Sequence, residues 1–449
     1  MDLENTIASI ATAPGNGAIA IIRISGKQAV EIADKVFSQD VKKLLTHRAT
    51  YGKILSKSNS VIDEVLLISM LAPRSFTGED VIEIHCHGGH FVTKKILNRI
   101  YEAGAVPAEP GEFTFRAFKN NKIDLTQAES IQKIISAKND QALQSAEHHL
   151  QGALHKKIDF YQKELTEMCA IMEASVDFPE DDLEFTTQNK FSKRLDQLIK
   201  DMKYLESTFE MGKVLHQGVT LCLCGSVNVG KSSLLNALLR KDRAIVTNIE
   251  GTTRDLLEED LYLKNFHLKA IDTAGFRDAS DLVEQEGIKR SKKAIESSDI
   301  VLFVLDSEKG ISEKEYNLYA SLPKEKTLVV WNKSDIKKVE KNPFSNPSVS
   351  LSAKNNQGID LLVDLIEKQI LKSNYNKEEI ILTEKRHKVA LTKAIECCQV
   401  ALDGLSINQS PEFVASDLKE GLKYLANIIG IDVTEDILDS IFSQFCLGK

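Results

Sequence analysis

The chain has 449 residues, of which 42% are hydrophobic and 27% charged, proportions of a folded protein rather than an extended disordered one. With 57 Lys and Arg against 65 Asp and Glu, the formal net charge is −8. That balance excludes a chain whose main task is to coat nucleic acid, and leaves any RNA contact to a local patch or a partner. No apolar run nears the ~18 residues of a membrane span, and the acidic start lacks the basic and apolar regions of a signal peptide. The seven cysteines, at 86, 169, 222, 224, 397, 398 and 446, are scattered and odd in number, as suits reduced thiols and not a disulfide framework. The expectation is a cytoplasmic chain with no membrane partner and, at roughly 150 residues per domain, about three domains.

Residues 1–118 read as mixed α/β. Strands are predicted at 6–13 and 18–24 around the turn Pro14-Gly15-Asn16-Gly17, with Ser25 placed to cap a helix over 28–37. Further strands are predicted at 65–71 and 81–86, and a helix over 91–102 that stops at Gly104. From about residue 119 the pattern turns helical: Thr126 and Glu129 have capping-box spacing, and Ile131, Ile134, Leu143, Ala146, Leu150 and Leu154 recur at helical intervals. Helical patterning, broken at Phe178-Pro179, occupies 119–216 and returns over 374–449. Between these blocks, 217–373 alternates buried strands with helices. An α/β domain inserted into an interrupted helical domain accounts for this order, because compact domains often bring their termini together.

The inserted segment carries phosphate chemistry. The strand Val219–Cys224 runs into Gly225-Ser226-Val227-Asn228-Val229-Gly230-Lys231-Ser232-Ser233. This is a P-loop pattern whose glycines let backbone amides curl around phosphate, whose lysine meets the β- and γ-phosphates, and whose Ser232 hydroxyl ligates Mg²⁺. Asp272-Thr273-Ala274-Gly275 follows a second strand, where the carboxylate holds the magnesium shell and Gly275 senses γ-phosphate. Asn332-Lys333-Ser334-Asp335 follows a third. The Asp335 carboxylate accepts from the N1–H and amine of guanine, a donor pair adenine lacks. Ser352-Ala353-Lys354 presents backbone to the guanine oxygen. Thr247-Asn248-Ile249-Glu250-Gly251-Thr252-Thr253 lies where a first switch loop belongs, with Thr253 the second Mg²⁺ hydroxyl. These elements in this order predict GTP binding, and the segment resembles Ras-like small GTPase domains. Such domains carry a water-orienting Gln after the Asp-x-x-Gly motif, but Phe276 stands here. Two residues are candidates to replace it: Glu284, which also fits a helix cap with Asp281, and Asn228, whose amide oxygen suits a monovalent cation supplying the charge of an arginine finger.

The rest of the chain adds Ile22-Arg23-Ile24-Ser25-Gly26, Phe76-Thr77-Gly78-Glu79-Asp80, Pro110-Gly111-Glu112-Phe113-Thr114, Lys122-Ile123-Asp124-Leu125 and the closing Cys446-Leu447-Gly448-Lys449. With these motifs the whole chain resembles the MnmE (TrmE) tRNA modification GTPases. The resemblance implies a multi-domain α/β plus all-α fold: an N-terminal α/β folate-binding and dimerisation domain, a discontinuous helical domain and an inserted Ras-like P-loop GTPase domain. It also implies a homodimer and a tetrahydrofolate cofactor (5-formyl- or methylene-). A GidA/MnmG-type FAD protein would be the partner in a heterotetramer that adds a (carboxymethyl)aminomethyl group to C5 of the wobble uridine of tRNA. K⁺ would lie among Asn228, Thr247, Ile249 and Thr252, Mg²⁺ at Ser232 and Thr253, the water-orienting acid at Glu284, and folate contacts at Arg23, Glu83, Lys122 and Lys449.

Two motif-bearing places keep two readings. Cys446 is either a nucleophilic or redox thiol or a small buried residue beside Ile441, Phe442 and Phe445. His85, Cys86 and His87 lie on one strand, with the histidines on one face and the thiol on the other, so a structural role is preferred to metal binding. A GTP-switched ribosome-assembly factor and a signalling switch remain alternatives for the whole chain.

Overall fold

The computed structural model describes residues 3–177, 185–241, 258–263, 266–272, 293–339, 342–370, 380–431, 433–446 and 448. It packs as two compact units, one of residues 1–135, 146–202 and 389–449, the other of 136–145 and 203–388.

The first unit opens with a six-stranded sheet in the order β3-β4-β5-β2-β1-β6, built from β1 (Ile7–Ile10), β2 (Ile19–Ser25), β3 (Ala49–Leu55), β4 (Val61–Met70), β5 (Val81–His87) and β6 (Val106–Pro107). Only β1 and β6 pair in parallel. Alternation along the central strands decides which side is wet. Ala20, Ile22 and Ile24 of β2 and Ile82, Ile84 and Cys86 of β5 enter the core with Ile32 and Ala33 of α1 (Ala29–Asp34) and Ile96 and Ile100 of α2 (His90–Ala103). Arg23, Glu83 and His85 fall at the alternate positions and are only half-buried.

Two local expectations are corrected here. Ser25 ends β2 and does not cap α1, whose N-cap is Gln28 without a side-chain bond; the Ser25 hydroxyl instead bonds Thr77 and Glu79. The capping box also starts two residues earlier than predicted. Asp124 Oδ1 accepts from the Gln127 amide at 3.0 Å while Gln127 Oε1 accepts from the Asp124 amide at 2.9 Å, so α4 runs Leu125–Ser136 and Thr126 sits inside its first turn.

α3 (Glu112–Lys119) leads into α4, and after α5 (Asp140–Leu150) the long α6 (Ala153–Asp177) packs along the helix Pro411–Ile429. α7 (Phe185–Ser207) and α8 (Phe209–Gln217) follow α6 in the chain. Leu154, Ile158, Tyr161, Leu165 and Met168 form the buried stripe of α6, the i, i+4, i+7 spacing of a core-facing helix. Among the described residues no helix is long and apolar enough to cross a membrane.

The second unit holds another six-stranded sheet, in the order β12-β11-β10-β7-β9-β8: β7 (Val219–Cys224), β8 (Glu258–Leu263), β9 (Phe266–Asp272), β10 (Ile300–Asp306), β11 (Thr327–Asn332) and β12 (Ser348–Ser350). All neighbours but β8 and β9 are parallel, and β10 and β11 are buried along their whole length, as parallel strands covered on both faces must be. Chain order reverses direction at β7, so the crevice past its carboxyl end is where an open α/β sheet binds ligand.

Candidate functional site

In the second unit the loop after β7 turns through Asn228 (φ 64°) and Gly230 (φ 93°) into α9 (Lys231–Lys241). Lys231, Ser232 and Ser233 form its first turn, where helix amides and dipole favour an anion. Lys231 Nζ donates to the Gly225 and Ser226 carbonyls at 2.8 Å each, which folds the loop around its ammonium group. Gly230 is required by contact as well as by φ, since a Cβ there would lie 2.3 Å from Asn332 Nδ2.

Asn332 is the junction of this unit. Buried to 3% exposure, it donates Nδ2 to the Val229 carbonyl at 2.9 Å and accepts at Oδ1 from the Lys333 amide at 2.8 Å and the Ala353 amide at 3.0 Å. One side chain thus joins the P-loop to the strand-end segments at 332–335 and 352–354. Lys333, itself at φ 64°, pairs with the buried Asp306 at 2.6 Å. Burial pushes the Asp306 carboxyl up, but the Lys333 bond and backbone amides outweigh it and hold the group below the ordinary aspartate range. Beside this junction a cavity of about 620 Å³ is lined by Gly230, Asn332, Asp335, Ser352, Ala353 and Lys354. Asn236 and Arg240 of α9 also line it, and neither stood out in the sequence because no motif spacing marks them. The Asp272 backbone ends β9. Thr247, Asn248, Ile249, Glu250, Gly251, Thr252, Thr253, Thr273, Ala274, Gly275 and Glu284 lie outside the described residues, as does Lys449.

The first unit has a site of its own. Antiparallel register sets Arg23 directly opposite Glu83. Glu83 Oε1 receives both Arg23 Nε at 2.9 Å and Nη2 at 2.8 Å, while Oε2 lies 3.5 Å from His85 Nε2. The guanidinium also sits 5.5 Å from the Phe76 ring and 5.6 Å from the Phe113 ring, within cation–π range. Its Nη1 donates to the Gly448 carbonyl at 3.4 Å, so the end of the chain reaches the sheet. Gly448 (φ 87°) fits because it has no side chain; a Cβ would lie 2.3 Å from the Ile10 carbonyl. Lys122 Nζ donates to the Pro73 carbonyl at 2.9 Å, in the loop that carries Phe76. Cys446 is exposed, with buried Phe445 on one side and buried Gly448 two residues on, which corrects the buried reading of this thiol. His87 Nδ1 pairs with Asp63 at 2.7 Å, and among the described residues no cluster of His, Cys, Asp and Glu has a metal-binding arrangement.

Beneath this face lies a charged network that motif reading missed. Arg116 is fully buried, with Nη2 2.8 Å from Glu112 Oε1 and Nη1 3.2 Å from Glu79 Oε2. Glu79 Oε2 also accepts from the Ser25 hydroxyl at 2.7 Å. The only sequence signal was an arginine among Phe113, Phe115 and Phe118 on one short helix.

Comparison with known proteins follows the same division. The family description "GTP-binding protein TrmE N-terminus" matches residues 6–122, and "MnmE helical domain" matches residues 125–446. A protein of Protochlamydia amoebophila is 48% identical over 99% of this chain and 97% of its own length, one of Chlamydia caviae 44% over 99% of both, and one of Clostridioides difficile 43% over the full length of both. Each of them is named tRNA modification GTPase MnmE. The chain belongs to the MnmE family. Its multi-domain α/β and helical fold, with the P-loop sheet lying in sequence between helical segments, is the fold of an MnmE-type chain.

Two expected outcomes test the buried junctions of this MnmE-family chain. Arg116→Met leaves the buried Glu112 and the half-buried Glu79 without their cation and should cost about 3 kcal/mol of stability in chemical denaturation. Adding Glu79→Gln and Glu112→Gln should recover much of that loss; a single variant as stable as the parent would refute the reading. Asn332→Leu strands the Val229 carbonyl and the Ala353 amide and should cost about 2 kcal/mol, with weaker binding of a fluorescent guanine nucleotide.

Proposed function

We propose that this chain is a K⁺-dependent GTP hydrolase. Acting with a flavoprotein of the GidA/MnmG type, it adds a (carboxymethyl)aminomethyl group to C5 of the wobble uridine of certain tRNAs, using a one-carbon unit carried by tetrahydrofolate. The observation that carries this reading beyond a generic GTP switch is the second site. Arg23 and Glu83 face each other across strands, Phe76 and Phe113 flank them, and the Gly448 end of the chain is docked there. A ribosome-assembly switch has no use for that arrangement.

The donor set fits the groups it would hold. Asp335, which lines the 620 Å³ cavity, offers a carboxylate to guanine's N1–H and amine, and the segment Ser352-Ala353-Lys354 beside it is held by the bond from the Ala353 amide to Asn332. The first turn of α9 offers amides and the Ser232 hydroxyl to phosphate and Mg²⁺, with Thr253 as the second hydroxyl. Asn228, on the outer bend of the P-loop, would hold K⁺ with Thr247, Ile249 and Thr252; the ion supplies positive charge to the phosphoryl oxygens. Glu284 is assigned to orient water in place of the missing glutamine. At the other site Glu83 Oε2 can pair with pterin N–H groups, because Oε1 is taken by Arg23, and aromatic rings suit the flat ring system. Lys122 and Lys449 are assigned to the folate carboxylates. Cys446, exposed two residues before Gly448, is the thiol assigned to the modification step. The dimer would form through the N-terminal α/β domain, and the domain limits assigned are 1–118, 119–216, 217–373 and 374–449.

Deleting the gene and profiling tRNA nucleosides by mass spectrometry tests the whole reading: the modified wobble uridines should disappear, and an unchanged profile sinks it. Turnover of GTP should be at least about tenfold faster in KCl than in NaCl, and Glu284→Ala should abolish that turnover while guanine nucleotide still binds. Asp335→Asn should weaken GTP by at least about 10²-fold and favour xanthosine triphosphate, whose C2 carbonyl accepts where guanine donates.

A further inference from the structure

The first unit contains a second cavity, of about 640 Å³, where residues 118–127, 151–156 and 429–438 meet. Its ionisable lining is Lys119, Lys122, Lys156 and His155 against a single acid, Asp124. That acid is already engaged. Its Oδ2 lies 3.1 Å from His155 Nδ1, and its Oδ1 accepts from the Thr126 hydroxyl and the Gln127 amide. The lysines therefore leave the cavity positively charged. Helix α6 begins at its wall with no acid in its first turn, so the positive end of its dipole adds to the lysine charge. The volume is that of a small-molecule pocket, and three lysines gathered at one hollow suit a short polyanion better than the long stripe that tracks a nucleic-acid backbone.

The cavity is tied to the loop beside the Arg23–Glu83 site by two hydrogen bonds. Lys122, on its rim, donates to the Pro73 carbonyl, and Asn120, in the same segment, donates to the Thr77 carbonyl at 2.8 Å. Phe76, on which Arg23 stacks, lies between those two carbonyls in sequence. The 73–77 loop thus links the ring that faces Arg23 to the segment carrying Lys122, which lines the cavity together with Lys119 and Lys156.

We propose that this cavity receives the poly-γ-glutamyl tail of the folate whose ring system sits at Arg23 and Glu83; the inference rests on the folate reading above. Each added glutamate brings one carboxylate on a short methylene spacer. Lys119 and Lys156, both exposed at the surface, can pair with the carboxylates, while Ile123, Ile429 and Val433 meet the methylenes. The structure thus accounts for two ends of one ligand with two kinds of lining, aromatic and carboxylate at one, cationic at the other.

The test uses the full chain and titration calorimetry with 5-formyltetrahydrofolate carrying one or five glutamyl residues. The pentaglutamate should bind about tenfold tighter, as two partly exposed ion pairs supply, and the advantage should shrink as salt rises. Lys119→Gln with Lys156→Gln should remove the advantage and leave the monoglutamate affinity unchanged. Equal binding of the two forms by the parent chain, or an advantage that survives the double variant, overturns the proposal while leaving the folate reading intact. If the double variant loses affinity for a tRNA anticodon stem–loop but keeps the glutamylation advantage, the cavity serves RNA phosphate and the proposal is likewise overturned. If neither folate binds, the folate reading itself fails and this inference falls with it.

Discussion

A polar side chain removed from water must find partners or cost several kcal/mol, and each unit of this protein meets that requirement with one residue that joins segments remote in sequence. In the first unit it is Arg116. Its guanidinium lies between Glu112, four residues back on the same helix, and Glu79, on the loop that also bonds Ser25 at the end of β2. The planar fork of arginine can address two carboxylates at once, which an ammonium group does less well. Phe76, three residues before Glu79, is thereby held in a position where its ring faces Arg23. In the second unit it is Asn332, whose amide both donates and accepts, and so can tie a P-loop carbonyl to two backbone amides.

These junctions explain why the two sites are built from short motifs that lie far apart in the chain. A nucleotide pocket on an open α/β sheet needs its phosphate loop and its base-reading loop fixed relative to each other, although about a hundred residues of other structure separate them. Parallel strands bring both loops to the same sheet edge, and Asn332 fixes their spacing. The Arg23–Glu83 site obeys a different geometry. Antiparallel register places the pair face to face, and the alternation that buries Ile22 and Ile24 on one side leaves Arg23 on the other. Because the Gly448 carbonyl caps that guanidinium, the state of the chain's end is coupled to the sheet through one hydrogen bond and one close backbone approach.

The parts legible in the sequence were those where chemistry demands a local pattern. The strand Val219–Cys224 and its glycine-bounded loop, the strand before Asn332, and the helix stopping at Gly104 were all readable because a few neighbouring residues decide them. Arg23 and Glu83 were named on family likeness, and only the register between β2 and β5 makes them a pair. The misplaced caps have one cause: Ser25 and Thr126 have side chains that suit an N-cap, but tertiary partners claimed Ser25, and Asp124 with Gln127 satisfied the α4 amides first. Arg116 was illegible because burial of a charge is visible only once Glu79 and Glu112 arrive from either side. The cationic cavity was hidden likewise, its lysines lying on two stretches that meet only in the folded bundle.

Sorting the thiols by environment completes the division of labour. Burial pushes the Cys169 thiol up to about 11 and the Cys398 thiol up to about 12, and raises Cys86, Cys224 and Cys397 as well. At neutral pH such groups stay protonated and pack as small apolar residues, since the thiolate is the reactive form. Cys222 is buried in β7 beside the P-loop, where strand packing accounts for it. Only Cys446 is exposed, and it stands on the segment whose next described residue, Gly448, touches Arg23. Solvent access therefore singles out the thiol two residues before Gly448, whose carbonyl meets Arg23. The cavity beside the P-loop lies in the other unit, and no exposed cysteine lines it.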